Sequence, residues 1–126
     1  MTKRCEVYRC AVCGAMVEVL SGGGGTLHCC GQPMVRLEEH VEDVGVEKHL
    51  PVVEQMECGY RVRVGQVPHP MQSEHHIEWI ELLTPRTIQR RALHATGKPE
   101  AVFLSEDTPI AARAYCNLHG LWRSKW

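Results

Sequence analysis

The sequence has no surplus of charge of one sign. Its 126 residues include 14 Lys and Arg against 15 Asp and Glu, so the formal net charge is −1 at pH 7. A nucleic-acid-binding domain typically carries a clustered basic surplus. Because this chain has no polybasic stretch, we expect no nucleic-acid partner.

Long apolar runs are also lacking. No stretch approaches the roughly 20 apolar residues that a membrane-spanning helix needs. The polar start, residues 1–10, lacks the apolar segment of a signal peptide. We therefore expect no membrane insertion and a cytoplasmic location. The length suits one ordinary domain, or a small domain plus a mini-domain.

Cysteine and histidine, by contrast, are abundant. The chain has seven Cys and eight His. Thiols stay reduced in the cytoplasm, so this many cysteines favours metal ligation over disulfides. The high histidine count indicates the same kind of chemistry.

The first candidate metal site lies within residues 1–37 and contains four cysteines. Cys10 and Cys13 form a C-x2-C pair, and Cys29 and Cys30 are adjacent. Four thiolates suit a closed tetrahedral site for iron or zinc. Adjacent side chains of an extended strand point to opposite faces, so the Cys29–Cys30 pair needs a sharply turned backbone, which Gly31 favours. A segment below about 40 residues usually needs a metal to fold, so a purely stabilising metal is the alternative to a redox site.

The second candidate combines one cysteine with several histidines. Cys116 and His119 lie three residues apart and are followed by Gly120, which makes a compact two-ligand turn. Further imidazoles lie upstream, at His49, His69, His75 and His76. Four His and one Cys differ from a structural zinc site, which is almost always closed by four ligands. Five protein ligands around a six-coordinate iron would leave one position for a substrate.

The remaining pattern is β. Residues 60–64 alternate apolar and basic side chains, the period-two signature of a strand with one buried face. Gly and Pro punctuate the chain repeatedly, and no convincing helical period is present. This pattern predicts an all-β antiparallel sandwich or barrel. Further strands are expected at 75–83, 101–104 and 110–115.

Motifs along the whole chain resemble those of desulfoferrodoxin, the two-iron form of superoxide reductase. They occur in the family's order: Cys10-Ala11-Val12-Cys13, Cys29-Cys30-Gly31, Glu47-Lys48-His49-Leu50-Pro51-Val52, GQVPHPM at 65–71, WIELL at 79–83, PEA at 99–101 and Tyr115-Cys116-Asn117-Leu118-His119-Gly120. The resemblance implies a small, metal-stapled desulforedoxin-like domain over residues 1–37. It also implies an immunoglobulin-like, seven-strand antiparallel β-sandwich over residues 38–126, the neelaredoxin-like superoxide reductase domain.

The resemblance further implies two iron ions per chain. The first would be held by Cys10, Cys13, Cys29 and Cys30. The second, catalytic iron would be held by four equatorial imidazoles and one axial thiolate, from His49, His69, His75, His119 and Cys116. His75 is preferred to its neighbour His76 on the family spacing and because strand alternation groups it with Ile77 and Trp79, whereas His76 shares the face of Glu78.

Two charged residues directly precede His49. The commonest fate of such residues is to be solvated surface charges. The resemblance implies catalytic roles instead: Glu47 occupies the open iron position in the oxidised resting state, whereas Lys48 attracts superoxide and orders a water that delivers a proton.

The activity implied by the resemblance is the one-electron reduction of superoxide to hydrogen peroxide, which detoxifies superoxide in an anaerobic or microaerophilic cell. A rubredoxin-like protein is the expected electron donor, and a homodimer is the expected assembly. Two alternatives come from other classes. An electron-transfer iron protein without substrate chemistry has no use for an open coordination position. A zinc-stabilised binding module accounts only for the four-cysteine set.

Overall fold

The computed structural model describes residues 1–43 and 48–124 of the chain. Every regular element in these ranges is a β-strand, which confirms the all-β prediction. None of the described residues belongs to a helix long and apolar enough to cross a bilayer. The chain divides into two compact units, Met1–Glu38 and Glu39–Trp126. Among the described residues, each unit contains one cluster of metal-binding side chains.

The first unit is built from five short strands. Three of them form an antiparallel sheet in the order β2-β1-β5, and the other two form the hairpin β3-β4. Val7, Cys10 and Val19 are its buried side chains among the described residues. Because this core is so small, we expect a bound metal ion to stabilise the unit. The strands are β1 (Val7–Arg9), β2 (Met16–Glu18), β3 (His28–Cys29), β4 (Gln32–Pro33) and β5 (Val35–Arg36).

The second unit has seven strands of four to seven residues within 48–124, preceded by the two-residue strand β6 (Glu39–His40). One sheet has the order β10-β9-β12-β13-β6 and the other the order β11-β8-β7. Neighbours are antiparallel, except that β6 runs parallel to β13. The longer strands are β7 (Pro51–Met56), β8 (Gly59–Val64), β9 (Ile77–Leu83), β10 (Ile88–Ala92), β11 (Glu100–Leu104), β12 (Ala111–Cys116) and β13 (Gly120–Arg123).

The two sheets enclose one apolar core. Alternate side chains of the strands face inward, as the period-two pattern requires. Each fully buried Val, Leu, Ile or Phe side chain stabilises the fold by about 1.5–3 kcal/mol. The core includes Val62 and Val64 from β8, Ile80 and Leu82 from β9, and Phe103 from β11. This is the seven-strand antiparallel sandwich that the resemblance implies, with β6 added at one edge.

The pairing of β9 with β12 is irregular beside the second cluster. Tyr115 pairs with Trp79, but Cys116 pairs with Ile77, so Glu78 is the extra residue of a β-bulge. A one-residue shift reverses which face the following side chains take. Ile77 therefore lies in the core together with later, even-numbered residues of β9, while Trp79 stacks on Tyr115. The alternation argument that grouped Ile77 with Trp79 was wrong for this reason.

Candidate metal centres

The four cysteines of the first unit form one compact cluster. All four sulfur atoms lie within 4.8 Å of one another. The Sγ atom of Cys29 lies 3.7 Å from that of Cys13 and 3.9 Å from that of Cys30. Four sulfurs placed tetrahedrally, each about 2.3 Å from one ion, lie about 3.8 Å apart. The cluster therefore fits a single tetrahedral ion.

A tight turn lets the adjacent cysteines reach the same point. Cys29 pairs with Gln32 in the β3-β4 hairpin, so Cys30 and Gly31 are the two turn residues. Their φ angles are +52° and +77°, and positive φ at both central residues is the property of a type I′ hairpin turn. Gly tolerates this conformation freely, whereas Cys does not. The sharply turned backbone predicted for this pair is present.

The pKa values of two thiols in this cluster are shifted in opposite directions. Backbone N–H groups of Cys13 and Val12 donate to Cys10 Sγ, each at 3.4 Å. Led by the Cys13 contact, they lower the pKa of the Cys10 thiol to about 6. Neighbouring sulfurs, Cys13 first, raise the pKa of Cys29 to about 12 because its thiol proton is shared with them. A metal ion replaces these protons and so permits all four thiolates together.

The second cluster contains four imidazoles in a closed cycle of ring contacts. Neighbouring rings are T-shaped, and Nε2 of His49 lies 3.1 Å from Nδ1 of His119. Two nitrogens bound at a right angle, each about 2.1 Å from one ion, lie about 3.0 Å apart. The four rings therefore fit the corners of a square around one ion. The centroid separations around the cycle are 4.6 Å (His49–His69), 4.8 Å (His69–His75), 5.1 Å (His75–His119) and 4.8 Å (His119–His49).

Cys116 adds a sulfur donor from the interior of the sandwich. Its side chain has no exposed surface and belongs to the apolar core. The Sγ atom lies 3.6 Å from Nε2 of His69 and 3.7 Å from Nδ1 of His119. One sulfur thus contacts two corners of the imidazole cycle from the core side. The donor set consists of four nitrogens and one thiolate. It suits an iron ion, whereas a structural zinc ion is almost always closed by four ligands.

Loops that leave the two sheets supply the histidines. His49 precedes β7, His69 follows β8, and His75 precedes β9. His119 lies in the turn between β12 and β13 and is exposed. The Nδ1–H group of His69 donates to the carbonyl oxygen of Pro70 at 2.8 Å, which leaves Nε2 directed at the cluster. A second hydrogen bond of this kind orients a metal-binding imidazole.

Gly65 brings two of these loops together. Its φ is +82°, and a Cβ atom there would lie 2.6 Å from the carbonyl oxygen of Lys48 and 2.4 Å from that of Val67. Its N–H donates to the carbonyl oxygen of Leu50 at 3.0 Å. Only glycine allows the loop before His69 to pack so closely on the segment that carries Lys48 and His49.

The structure adds two polar residues to which sequence reasoning assigned no role. Asn117 accepts a hydrogen bond from the His76 N–H at 2.9 Å and donates to the carbonyl oxygen of Glu74 at 3.0 Å. It thereby joins the ligand turn of β12 to the segment that holds His75. Asp43 Oδ1 accepts one hydrogen bond from the backbone N–H of His49 and one from that of Leu50. Asn117 lies between Cys116 and His119 in the Tyr115–Gly120 motif, which signals its place at the site. The sequence around Asp43 gives no sign of its contact with His49.

The remaining predicted residues lie in different surroundings. Glu47 lies outside the described residues. Lys48 is half-buried and lines an open cavity together with Glu42 and Asp43. His76 lies outside the imidazole cluster, and its Nδ1 atom lies 2.9 Å from the carbonyl oxygen of Gln72.

Comparisons with known proteins cover both units. Residues 41–125 match the family described as Desulfoferrodoxin, and residues 2–37 match Desulfoferrodoxin, N-terminal domain. The chain is 48% identical over 125 residues to a desulfoferrodoxin of Desulfarculus baarsii, covering 99% of each chain. It is also 36% identical over 98 residues to a superoxide reductase of Pyrococcus horikoshii, covering 63% of this chain and 85% of that one.

A solved structure shows the same fold over nearly the full length. The superoxide reductase of Treponema pallidum superposes with a TM-score of 0.82 at 30% identity, and the match covers 97% of this chain and 98% of that one.

Proposed function

The chain belongs to the desulfoferrodoxin family, and from this premise we infer that it is a superoxide reductase. The reaction combines one superoxide, one electron and two protons into one hydrogen peroxide. The observation that carries this inference is the closed cycle of four imidazoles above the buried Cys116 sulfur. The oxidoreductase activity agrees with the names of the similar proteins in Pyrococcus horikoshii and Treponema pallidum.

Each donor cluster holds one iron ion, so the protein carries two irons per chain. The first has four thiolate ligands, from Cys10, Cys13, Cys29 and Cys30. The second has His49, His69, His75, His119 and Cys116. When bound in this second centre, iron supplies the electron and one coordination position outside the protein's five donors.

The protein's own side chains determine how that centre is reached. Burial of Cys116 among apolar side chains keeps water away from the sulfur on the core side. His49 and His69 are each 3% exposed, whereas His119 is exposed. Superoxide therefore approaches from the side of the exposed ligand turn and the loops, not through the sandwich.

We also propose catalytic roles for the two charged residues before His49. The net charge of −1 offers superoxide no global attraction, so any steering must be local. Lys48 supplies a positive charge next to a ligand residue and attracts the anion. A water held by its ammonium group delivers a proton. Glu47 would offer its carboxylate to the position that the five donors leave open in the oxidised resting state.

The electron donor, assembly and location complete the proposal. We propose a rubredoxin-like, one-electron donor protein, a homodimer and a cytoplasmic location in an anaerobic or microaerophilic cell. All seven cysteines lie in the described part of the chain, and none of them forms a disulfide there. A thiol-rich chain of this kind is favoured in a reducing compartment.

The test is the peroxide yield of the reduced, iron-loaded protein with no added dismutase. We expect one hydrogen peroxide for each superoxide consumed, without release of dioxygen. A yield of one peroxide for every two superoxide ions, with dioxygen evolved, indicates dismutation and contradicts the proposal. Metal analysis provides an independent check, because one zinc per chain in place of two irons excludes the reductase.

A further inference from the structure

A buried tryptophan lies directly on one of the iron ligands. The indole of Trp122 stacks face to face on the imidazole of His49, with ring centroids 4.5 Å apart and an interplanar angle of 15°. Trp122 is 6% exposed and His49 is 3% exposed. Two rings in near-parallel contact inside a packed interior restrict each other's rotation. The plane of the His49 ring is therefore limited by Trp122.

The same indole also contacts the neighbouring ligand, His119. Its Nε1–H group donates a hydrogen bond of 3.1 Å to the backbone carbonyl oxygen of His119. His119 is exposed and lies in a short turn, so its position depends on contacts made by the turn's backbone. The hydrogen bond ties that turn to β13, in which Trp122 itself lies.

His49 and His119 are adjacent corners of the imidazole cycle, although they are far apart in the chain. Their ligand nitrogens lie 3.1 Å apart. One side chain thus contacts the ring of the first ligand and the backbone of the second. We propose that Trp122 is a positioning residue of the histidine-rich centre, which fixes the ring plane of His49 and the place of His119 relative to each other.

The outer environment of the indole supports this role. His40 of β6 also contacts the Trp122 ring, with centroids 4.8 Å apart, and β6 pairs with β13 beside it. The indole is therefore held by the sheet edge as well as by the ligands. Some residues hold a metal-binding side chain in place without touching the metal themselves. Replacing such a residue commonly lowers metal affinity by 10–100-fold. Because Trp122 touches no reacting atom, it is not itself a catalytic residue.

The test is a titration of the metal-free, full-length protein with cobalt(II). The cobalt absorption of each centre reports how much metal that centre has bound. The proposal rests on metal binding by both clusters, so wild type must first bind two equivalents. Trp122→Leu removes both the stack and the N–H donor, and we expect a 10–100-fold loss of cobalt affinity at the histidine-rich centre only. Trp122→Phe keeps an aromatic face but no donor, and we expect a smaller loss.

Two further readouts separate positioning from general stability. In the iron-loaded protein, both variants should shift the thiolate charge-transfer band of Cys116 and the midpoint potential of that centre, without a shift at the four-cysteine centre. Trp79→Phe and Trp79→Leu are the matched controls, because Trp79 stacks on Tyr115 instead of on a ligand. We expect both controls to bind two equivalents with wild-type spectra.

The possible failures are distinguishable. Wild type that binds only the four-cysteine equivalent overturns the proposed function itself. If wild type binds two equivalents and Trp122→Phe and Trp122→Leu keep its affinity, spectrum and potential, the positioning role alone is overturned. A Trp122→Leu chain that does not fold leaves Trp122→Phe to decide. A spectrum and potential identical to wild type in a folded Trp122→Phe chain also contradict the role.

Discussion

The side-chain oxygen Oδ1 of Asp43 accepts a hydrogen bond of 2.7 Å from the backbone N–H of His49. The same oxygen accepts a second hydrogen bond, of 3.1 Å, from the N–H of Leu50. A ligand residue is thereby held at its backbone by a carboxylate six positions earlier. Hydrogen bonds to a charged group contribute about 1.5–3 kcal/mol when they are well shielded, and this pair is only partly buried.

We expect Asp43→Ala to weaken iron binding at the histidine-rich centre about tenfold, which corresponds to about 1.4 kcal/mol. Asp43→Asn should keep most of the affinity, because its amide oxygen still accepts the two hydrogen bonds. Metal titration of the two variants measures the difference. Equal affinities for wild type and Asp43→Ala would show that this contact does not support the centre.

The two centres share no ligand, so each should be removable alone. Cys13→Ser should disturb the four-cysteine iron, while chemically pre-reduced protein still reduces superoxide. Cys116→Ser should disturb the histidine-rich centre and leave the other spectrum intact. Pulse-radiolysis rates and absorption spectra of both variants test this division. Loss of the pre-reduced reaction in folded Cys13→Ser protein would refute it.

The histidine doublet should behave asymmetrically. His75→Ala removes one of five donors, so iron should be depleted from the second centre. His76→Ala should keep the metal, because the His76 ring lies near the carbonyl oxygen of Gln72 and outside the cluster. Iron content per chain decides between them. Iron retained by His75→Ala but lost from His76→Ala would reverse the assignment.

Lys48→Ala should leave both irons bound and lower the second-order rate with superoxide about tenfold, the low end of electrostatic steering. The variant's rate should also respond less to salt, since screening acts over about 8 Å at physiological ionic strength. Lys48→Arg should retain much of the rate because the charge remains. Lys3→Ala removes the same charge from the first unit and is the control. Equal rates and salt slopes in wild type and Lys48→Ala would make Lys48 an ordinary surface charge.

A buried ion pair joins β9 and β12. Glu81 is 0% exposed and Arg113 is 2% exposed, and Arg113 donates to Glu81 Oε1 through Nη2 at 2.7 Å and Nε at 2.9 Å. Removing one partner of such a pair costs about 3–5 kcal/mol.

We expect Glu81→Ala to lower the melting temperature by about 12 °C or more, at about 4 °C for each kcal/mol. The double variant Glu81→Leu with Arg113→Met should be closer to wild type, because no buried charge is left behind. Thermal denaturation checks both. A double variant less stable than Glu81→Ala would contradict this account.

Much of the architecture was readable from local patterns. Alternation in 60–64 predicted β8, and the apolar runs predicted most of β9, β11 and β12. The strands β7, β10 and β13 were missed. Polar or charged side chains interrupt β7 and β10, and only four residues form β13. The two-residue strand β6, which pairs in parallel with β13, was missed as well. Such pairings depend on a distant neighbour and leave no period in the sequence.

The sequence supplied the candidate metal ligands, because residue type decides donor chemistry. The family resemblance then selected from them the nine donors that the structure collects into two clusters. Only the tertiary structure decided how they are arranged. The bulge at Glu78, the positive φ of Cys30 and the stacking of Trp122 on His49 each depend on strand pairing or packing between distant segments. Because such contacts join residues far apart in the chain, local composition and periodicity do not record them.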